Sequence, residues 1–175
     1  MIHPDVAEAV ALLGSLGGAA AEIEIDREID NADYGAAVTR IGLGRLRFRV
    51  GRVTPKKVGL FVAVWRRSPS GPTEPFPADD VDHLIILTRD GPLTGLFMFP
   101  RSALESHGIV SVAQKGGKRG FRVYPPWAQT ENPQAIRTQA WQGAFFLDTS
   151  DRVALDRLRE LLGPRPATTR LSTPR

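Results

Sequence analysis

The spacing of apolar residues predicts the elements of the chain in order. Between Pro4 and Ser15, Val6, Ala9, Val10 and Leu13 form one helical stripe, opened by Pro4 and Asp5 and closed near Gly14. Gly17-Gly18 is a turn signal. Glu22-Ile23-Glu24-Ile25-Asp26 alternates acid and isoleucine, which predicts a strand with its carboxylates on one face or, as the competing reading, a continued helix. Asp26 to Asp33 reads as an exposed acidic loop, Asp33-Tyr34-Gly35 as a turn, and Ala36 to Ile41 as a strand, with Gly42 and Gly44 turning the chain again. Leu46, Phe48 and Val50 then alternate with Arg45, Arg47 and Arg49, so the three arginines share the face opposite the apolar one. Gly59 to Trp65 is continuously apolar and predicts an interior strand. Thr54-Pro55-Lys56-Lys57 lies between these two runs, and Pro55 fixes φ and lacks a donor, so the runs are expected to be neighbouring strands joined by a rigid basic turn.

The second half has the same punctuation. Ser68 to Pro77 is rich in Pro, Gly and Ser and predicts a loop without regular structure. His83 to Thr88 and Leu93 to Phe99 predict a buried hairpin about Asp90-Gly91, followed by a short helix from Arg101 to His107 that Gly108 stops. Gln114 to Gly120 reads as a flexible basic loop, Phe121 to Tyr124 as a short strand, and Pro133 to Phe146 as a helix capped by Asn132. Asp151 to Leu162 predicts an amphipathic closing helix. The expected architecture is α/β of the α+β type: a single domain over 1–163 with a mixed, mostly antiparallel central sheet flanked by helices, and a flexible tail over 164–175.

Composition narrows the chemistry. The chain has 175 residues, 42% of them hydrophobic, enough for one full core, and no cysteine, which excludes disulfides, thiolate metal sites and a Cys nucleophile. No basic n-region opens the chain and no apolar run approaches the roughly 20 residues of a membrane span, so the expectation is a cytoplasmic protein with no membrane partner.

Charge is arranged in blocks. Residues 1–33 carry eight acids and one arginine, residues 34–73 nine cations and no acid, residues 74–105 a net −4, and residues 106–130 four cations and no acid. Such blocks predict either a positive surface assembled by folding or locally balanced, solvated faces. Cations on strands and on Gly-flanked loops suit phosphate recognition, because lysines neutralise charge and arginine forks hold two oxygens. The candidates are Arg47, Arg49, Arg67 and Arg122 with Lys56, Lys57, Lys118 and Arg119. Tyr124 and Trp127 are candidate base-stacking rings, although Trp65, Trp127 and Trp141 also suit core filling. Gln139 and Gln142 share a helix face and can read a base, cap a pocket or simply pack. Gly117-Lys118-Arg119-Gly120 lacks the spacing of a Walker loop, no Gly-x-Ser-x-Gly elbow occurs, and His3, His83 and His107 are too scattered for a metal site.

Several of these landmarks, in order over residues 33 to 147, resemble the MepB family. They are Asp33-Tyr34-Gly35, Arg47-Phe48-Arg49, Thr54-Pro55-Lys56-Lys57-x-Gly59-x-Phe61 and Val64-Trp65-x-Arg67, then Gly95-x-Phe97-x-Phe99-Pro100. Gly117-Lys118-Arg119-Gly120-x-Arg122-Val123-Tyr124-x-Pro126-Trp127 and Thr138-Gln139-x-Trp141-Gln142 complete the set. The family is named for its association with a multidrug efflux system, and its members are largely uncharacterised. The resemblance implies a restriction-endonuclease-like core and binding of nucleic acid or nucleotide; separately, no cofactor is expected for binding alone.

Under an alternative nuclease or phosphodiesterase reading, carboxylates would hold Mg²⁺ and a lysine would sit near the attacking water. Asp80 and Asp82, with Glu22 or Glu24, are the available ligands. The Asp-x-Lys or Glu-x-Lys triplet of such enzymes is absent from the sequence. A protein-interaction accessory factor with an incidental basic surface is the third reading.

Overall fold

The computed structural model describes residues 1–16, 23–41, 44–150 and 156–157. The readings at Gly17-Gly18, Glu22 and Gly42, most of the closing helix from Asp151 and the tail over 164–175 lie outside the described residues.

The elements in chain order are α1 (Pro4–Leu16), β1 (Ile25–Arg27), β2 (Ala37–Ile41), β3 (Gly44–Val50), β4 (Arg52–Thr54), β5 (Lys57–Ala63), β6 (Trp65–Arg67), β7 (Thr73–Pro75), β8 (His83–Asp90), β9 (Leu93–Pro100), α2 (Arg101–Ser106), β10 (Gly120–Val123), α3 (Pro133–Gly143) and β11 (Phe146–Asp148). Six strands form one sheet in the order β1-β2-β3-β8-β9-β11, with β3 and β8 parallel and every other neighbouring pair antiparallel. A smaller sheet has the order β10-β5-β4, and β6 pairs with β7. The fold is a mixed α+β domain, as the pattern predicts.

Alternation along the central strands builds two apolar layers. Leu46, Phe48, Ile85, Leu87, Leu96 and Met98 point to one face, where the α1 stripe of Val6, Ala9, Val10 and Leu13 covers them. Leu84, Ile86, Phe97 and Phe99 point to the other, where Leu60 and Val62 of β5, Phe121 and Val123 of β10 and Leu104 of α2 close over them. The parallel β3–β8 pair requires a crossover, and the crossover carries β4 and β5 of the small sheet across this second face.

That crossover corrects the expected hairpin. β3 pairs with β2 and β8, whereas β5 pairs with β4 and β10, so the two apolar runs belong to different sheets. The chain leaves the large sheet at Gly51, where an added Cβ would stand 2.9 Å from the Leu60 Cβ; only glycine allows this approach of the two layers. The Pro55-Lys56 turn exists, but it joins β4 to β5.

Other differences have local causes. β1 and a one-turn 3-10 helix at Ala32–Tyr34 replace much of the expected acidic loop, and Thr73–Pro75 forms a strand inside the Pro-rich connector by pairing with Trp65–Arg67. α3 ends at Gly143, and Phe146 begins β11 instead of finishing the helix. Its ring lies over Gly95 of β9, where an added Cβ would meet it at 2.2 Å.

Candidate nucleic-acid or nucleotide site

The arginines of β3 face the space between the two sheets. Arg49 is fully buried, with Nε donating to the Ala63 carbonyl at 3.1 Å and Nη1 to the Phe48 carbonyl at 2.7 Å and Glu28 Oε2 at 2.6 Å. Arg47 pairs with the other oxygen of Glu28, donates from Nε to the Asp80 carbonyl at 3.1 Å, and holds its Cζ 4.3 Å over the Phe76 ring. Burial, above all, pulls both guanidiniums down to about 10, which leaves them charged at neutral pH. Glu28 is therefore an internal counterion, because two arginines brought out of water need a charge partner. Neither Arg47 nor Arg49 forms the open basic face expected of β3.

The acids of residues 74–82 serve the same end. Asp80 pairs with Arg45 and Arg66, and Asp82 accepts from the Arg45 backbone at 2.7 Å and from Arg101 Nη2 at 2.6 Å. The Arg45 N–H, aided by Arg101, holds the Asp82 carboxyl below the usual range. These contacts leave Asp80 and Asp82 poorly suited as Mg²⁺ ligands, and no group of three or more His, Asp or Glu side chains that could hold a metal occurs among the described residues. Asp80 and Asp82, held in these ion pairs, do not fit a nuclease metal centre.

The outer face of the small sheet is different. Arg52, Thr54, Lys57, Gly59, Phe61, Gly120, Arg122 and Tyr124 lie on this side by strand alternation, and the turn between β4 and β5 adds Lys56. Gly59 adopts φ +79°, and an added Cβ there would stand 2.6 Å from Tyr124 Cδ1. A Cβ on Gly120 would stand 2.5 Å from Phe61 Cζ. Each glycine thus lets a neighbouring-strand aromatic ring lie across the sheet. Arg122 is braced by the sheet: Nη1 donates to the Val58 and Gly59 carbonyls at 3.3 Å each, and Nη2 to Thr54 Oγ1. Its Nε–H meets no protein acceptor among the described residues.

α3 closes the other side of this face. Asn132 caps it by accepting from the Ala135 N–H at 2.8 Å. Buried Gln142 bridges helix and strand: its Oε1 accepts from the Tyr124 N–H at 2.8 Å and its Nε2 donates to the Arg122 carbonyl at 2.9 Å. Gln139 donates to the carbonyls of Pro125 and Ala128 at 3.0 and 2.8 Å, fixing the loop that leads from β10. Both amides are consumed in placing the walls.

Between α3 and β10 lies a cavity of 780 Å³. Lys56, Lys57, Lys118, Arg122 and Tyr124 line it, together with Trp141, whose ring stacks on His107 at 3.7 Å between centroids and 8° between planes. Glu131 is the one acid in the lining. None of the four cations lies within 4.0 Å of a carboxylate among the described residues.

The fold therefore divides the sequence candidates. Lys56, Lys57, Lys118, Arg122 and Tyr124 converge on the cavity. Arg67 is exposed on β6 beside Asp30, Arg119 donates to the Thr73 carbonyl at 2.9 Å, and Trp127 packs edge-on against Phe146; none of the three lines it. Sequence reasoning missed Trp141 and His107 as lining residues, and it missed Phe61 on the outer face of the small sheet. The alternation of Gly59 and Phe61 along β5 was the available signal.

The MepB-like family model matches residues 28–148, which contain every residue named in the cavity lining. A crystal structure of MepB superposes with a TM-score of 0.72 at 32% identity, covering 83% of this chain and 99% of that one. A bacterial homing endonuclease aligns at a TM-score of 0.41 and 14% identity over 78% of this chain and 86% of that one, a likeness below that of a shared fold. No curated protein matches the sequence.

Proposed function

The chain belongs to the MepB-like family, and from that premise we propose that it binds the phosphate of a nucleotide or nucleic acid in the cavity between β10 and α3. The observation that carries this reading is a contrast in charge. Arg45, Arg47, Arg49, Arg66 and Arg101 are each matched to a carboxylate, whereas Lys56, Lys57, Lys118 and Arg122 meet at one cavity with no such partner among the described residues. Unmatched cations that share a concave wall repel one another, and an anion relieves that repulsion. Tyr124 and the stacked Trp141–His107 pair put aromatic surface beside the charge, against which a base can pack. The volume also falls in the range of about 300–1,000 Å³ usual for small-ligand pockets. Binding rests on charge neutralisation by the lysines and on the fixed Arg122 fork.

A salt series tests this. Fluorescence anisotropy of a labelled twelve-residue oligothymidylate should report affinity that falls with salt, with a log–log slope of up to about −3 if all four cations meet phosphates of a single strand. No binding at low salt, for the oligonucleotide or for unlabelled mononucleotides in competition, would remove the reading.

A further inference from the structure

A second, more open hollow of 660 Å³ adjoins the first at three of the four cations. It is lined by Thr54, Pro55 and Phe61, and it shares Lys56, Lys57, Phe121 and Arg122 with the first. Lys56, Lys57 and Arg122 thus line both hollows. Each hollow has its own half-buried aromatic wall: Tyr124 and Trp141 on one side, Phe61 on the other. Phe61 is held over Gly120 and edge-on to Tyr34 at 6.1 Å, so its ring is positioned before any ligand arrives. Arg122 is equally fixed, tied to β5 carbonyls and to Thr54.

Resting on the phosphate reading above, we infer that the site takes a single-stranded nucleic acid segment of at least two nucleotides, with one base in each hollow and the linking phosphate on Lys56, Lys57 and Arg122. Ring, cation and ring match the order base, phosphate and base along one strand. A mononucleotide fills only one hollow and leaves the Phe61 side unused. A duplex keeps its bases stacked on one another and offers none to either wall.

The test is calorimetric titration of the full chain with thymidine 5′-monophosphate and with 5′-phosphorylated dithymidylate. The dinucleotide should bind tighter by about tenfold or more, the effect of one added stacked base. Phe61→Ala should remove that advantage and leave the mononucleotide affinity within about twofold; Phe61→Leu, which keeps an apolar filler against Tyr34, should do the same if the alanine variant folds poorly. Equal affinity for the two ligands, or an advantage that survives both Phe61 variants, overturns the second hollow while the phosphate site stands. Binding of neither ligand overturns both.

Discussion

At the scale of single residues, the decisive event is the recruitment of Glu28. Its position in an acidic stretch suggested exposure, yet it sits between Arg47 and Arg49 because the interior of the crossover holds two guanidiniums that need compensation. Glu28→Ala should lower the unfolding free energy by about 3 kcal/mol or more, since removing one partner strands buried charge. Urea titration measures this directly, and Glu28→Ala combined with Arg49→Met should recover part of the loss. A cost below about 1 kcal/mol, typical of exposed pairs, would contradict the assignment. Arg49 shows why the charge pattern alone misleads. Alternation with Leu46 and Phe48 correctly put the arginines on the opposite face, but that face is also interior, and alternation cannot tell a solvated face from one covered by a second sheet.

At the scale of elements, the sequence was most legible where the period was long or the punctuation strong. The α1 stripe, the β8–β9 hairpin about Asp90-Gly91 and the Asn132-capped α3 all follow from their residues. Phe146 was not legible, because its exit from the helix depends on the space above Gly95, which is 51 residues earlier in the chain. β7 was hidden for a related reason: Thr73–Pro75 is a strand only because Trp65–Arg67 lies beside it. The site inherits this non-local character, as β10 and α3 meet through Gln142. Gln142→Leu should cost about 2 kcal/mol or more by leaving the Tyr124 N–H and the Arg122 carbonyl unpaired, and should weaken oligonucleotide binding as well. Thermal unfolding and an anisotropy titration of the same variant check both; a loss of stability with wild-type affinity would mean that α3 does not organise the cavity.

At the scale of the molecule, the charge blocks pair across the fold. The N-terminal acids supply Glu28, Asp30 and Asp5 to Arg47, Arg49, Arg67 and Arg89, and the later acids supply Glu74, Asp79, Asp80 and Asp82 to Arg45, Arg66 and Arg101. The β4–β5 turn and β10 are left with the excess. Among the described residues no helix is long and apolar enough to cross a membrane.

Stability should also fall with acid in two stages. Burial lowers the His83 imidazole, and the Arg45 N–H lowers the Asp82 carboxyl, so for both groups the unfolded chain binds protons more readily than the folded one. The His83 contribution is present above its unfolded value of about 6.5 and is lost as pH falls through the depressed folded value; the Asp82 contribution follows below about 4. Denaturation midpoints between pH 8 and 3 should show both steps, and His83→Gln should flatten the first while sparing the second. A first step that persists in His83→Gln would assign it elsewhere.

The measurement that bears most directly on the cavity as the binding site compares three proteins in one anisotropy titration with labelled oligothymidylate at low salt. They are the wild type, the Lys118→Ala/Arg122→Ala variant, and the Arg67→Ala/Arg119→Ala variant, whose cations lie outside the cavity lining. The account predicts a loss of about tenfold or more with a shallower salt slope for the cavity variant, and near wild-type affinity for the other. Undiminished binding by the cavity variant, or equal loss in both, would contradict it.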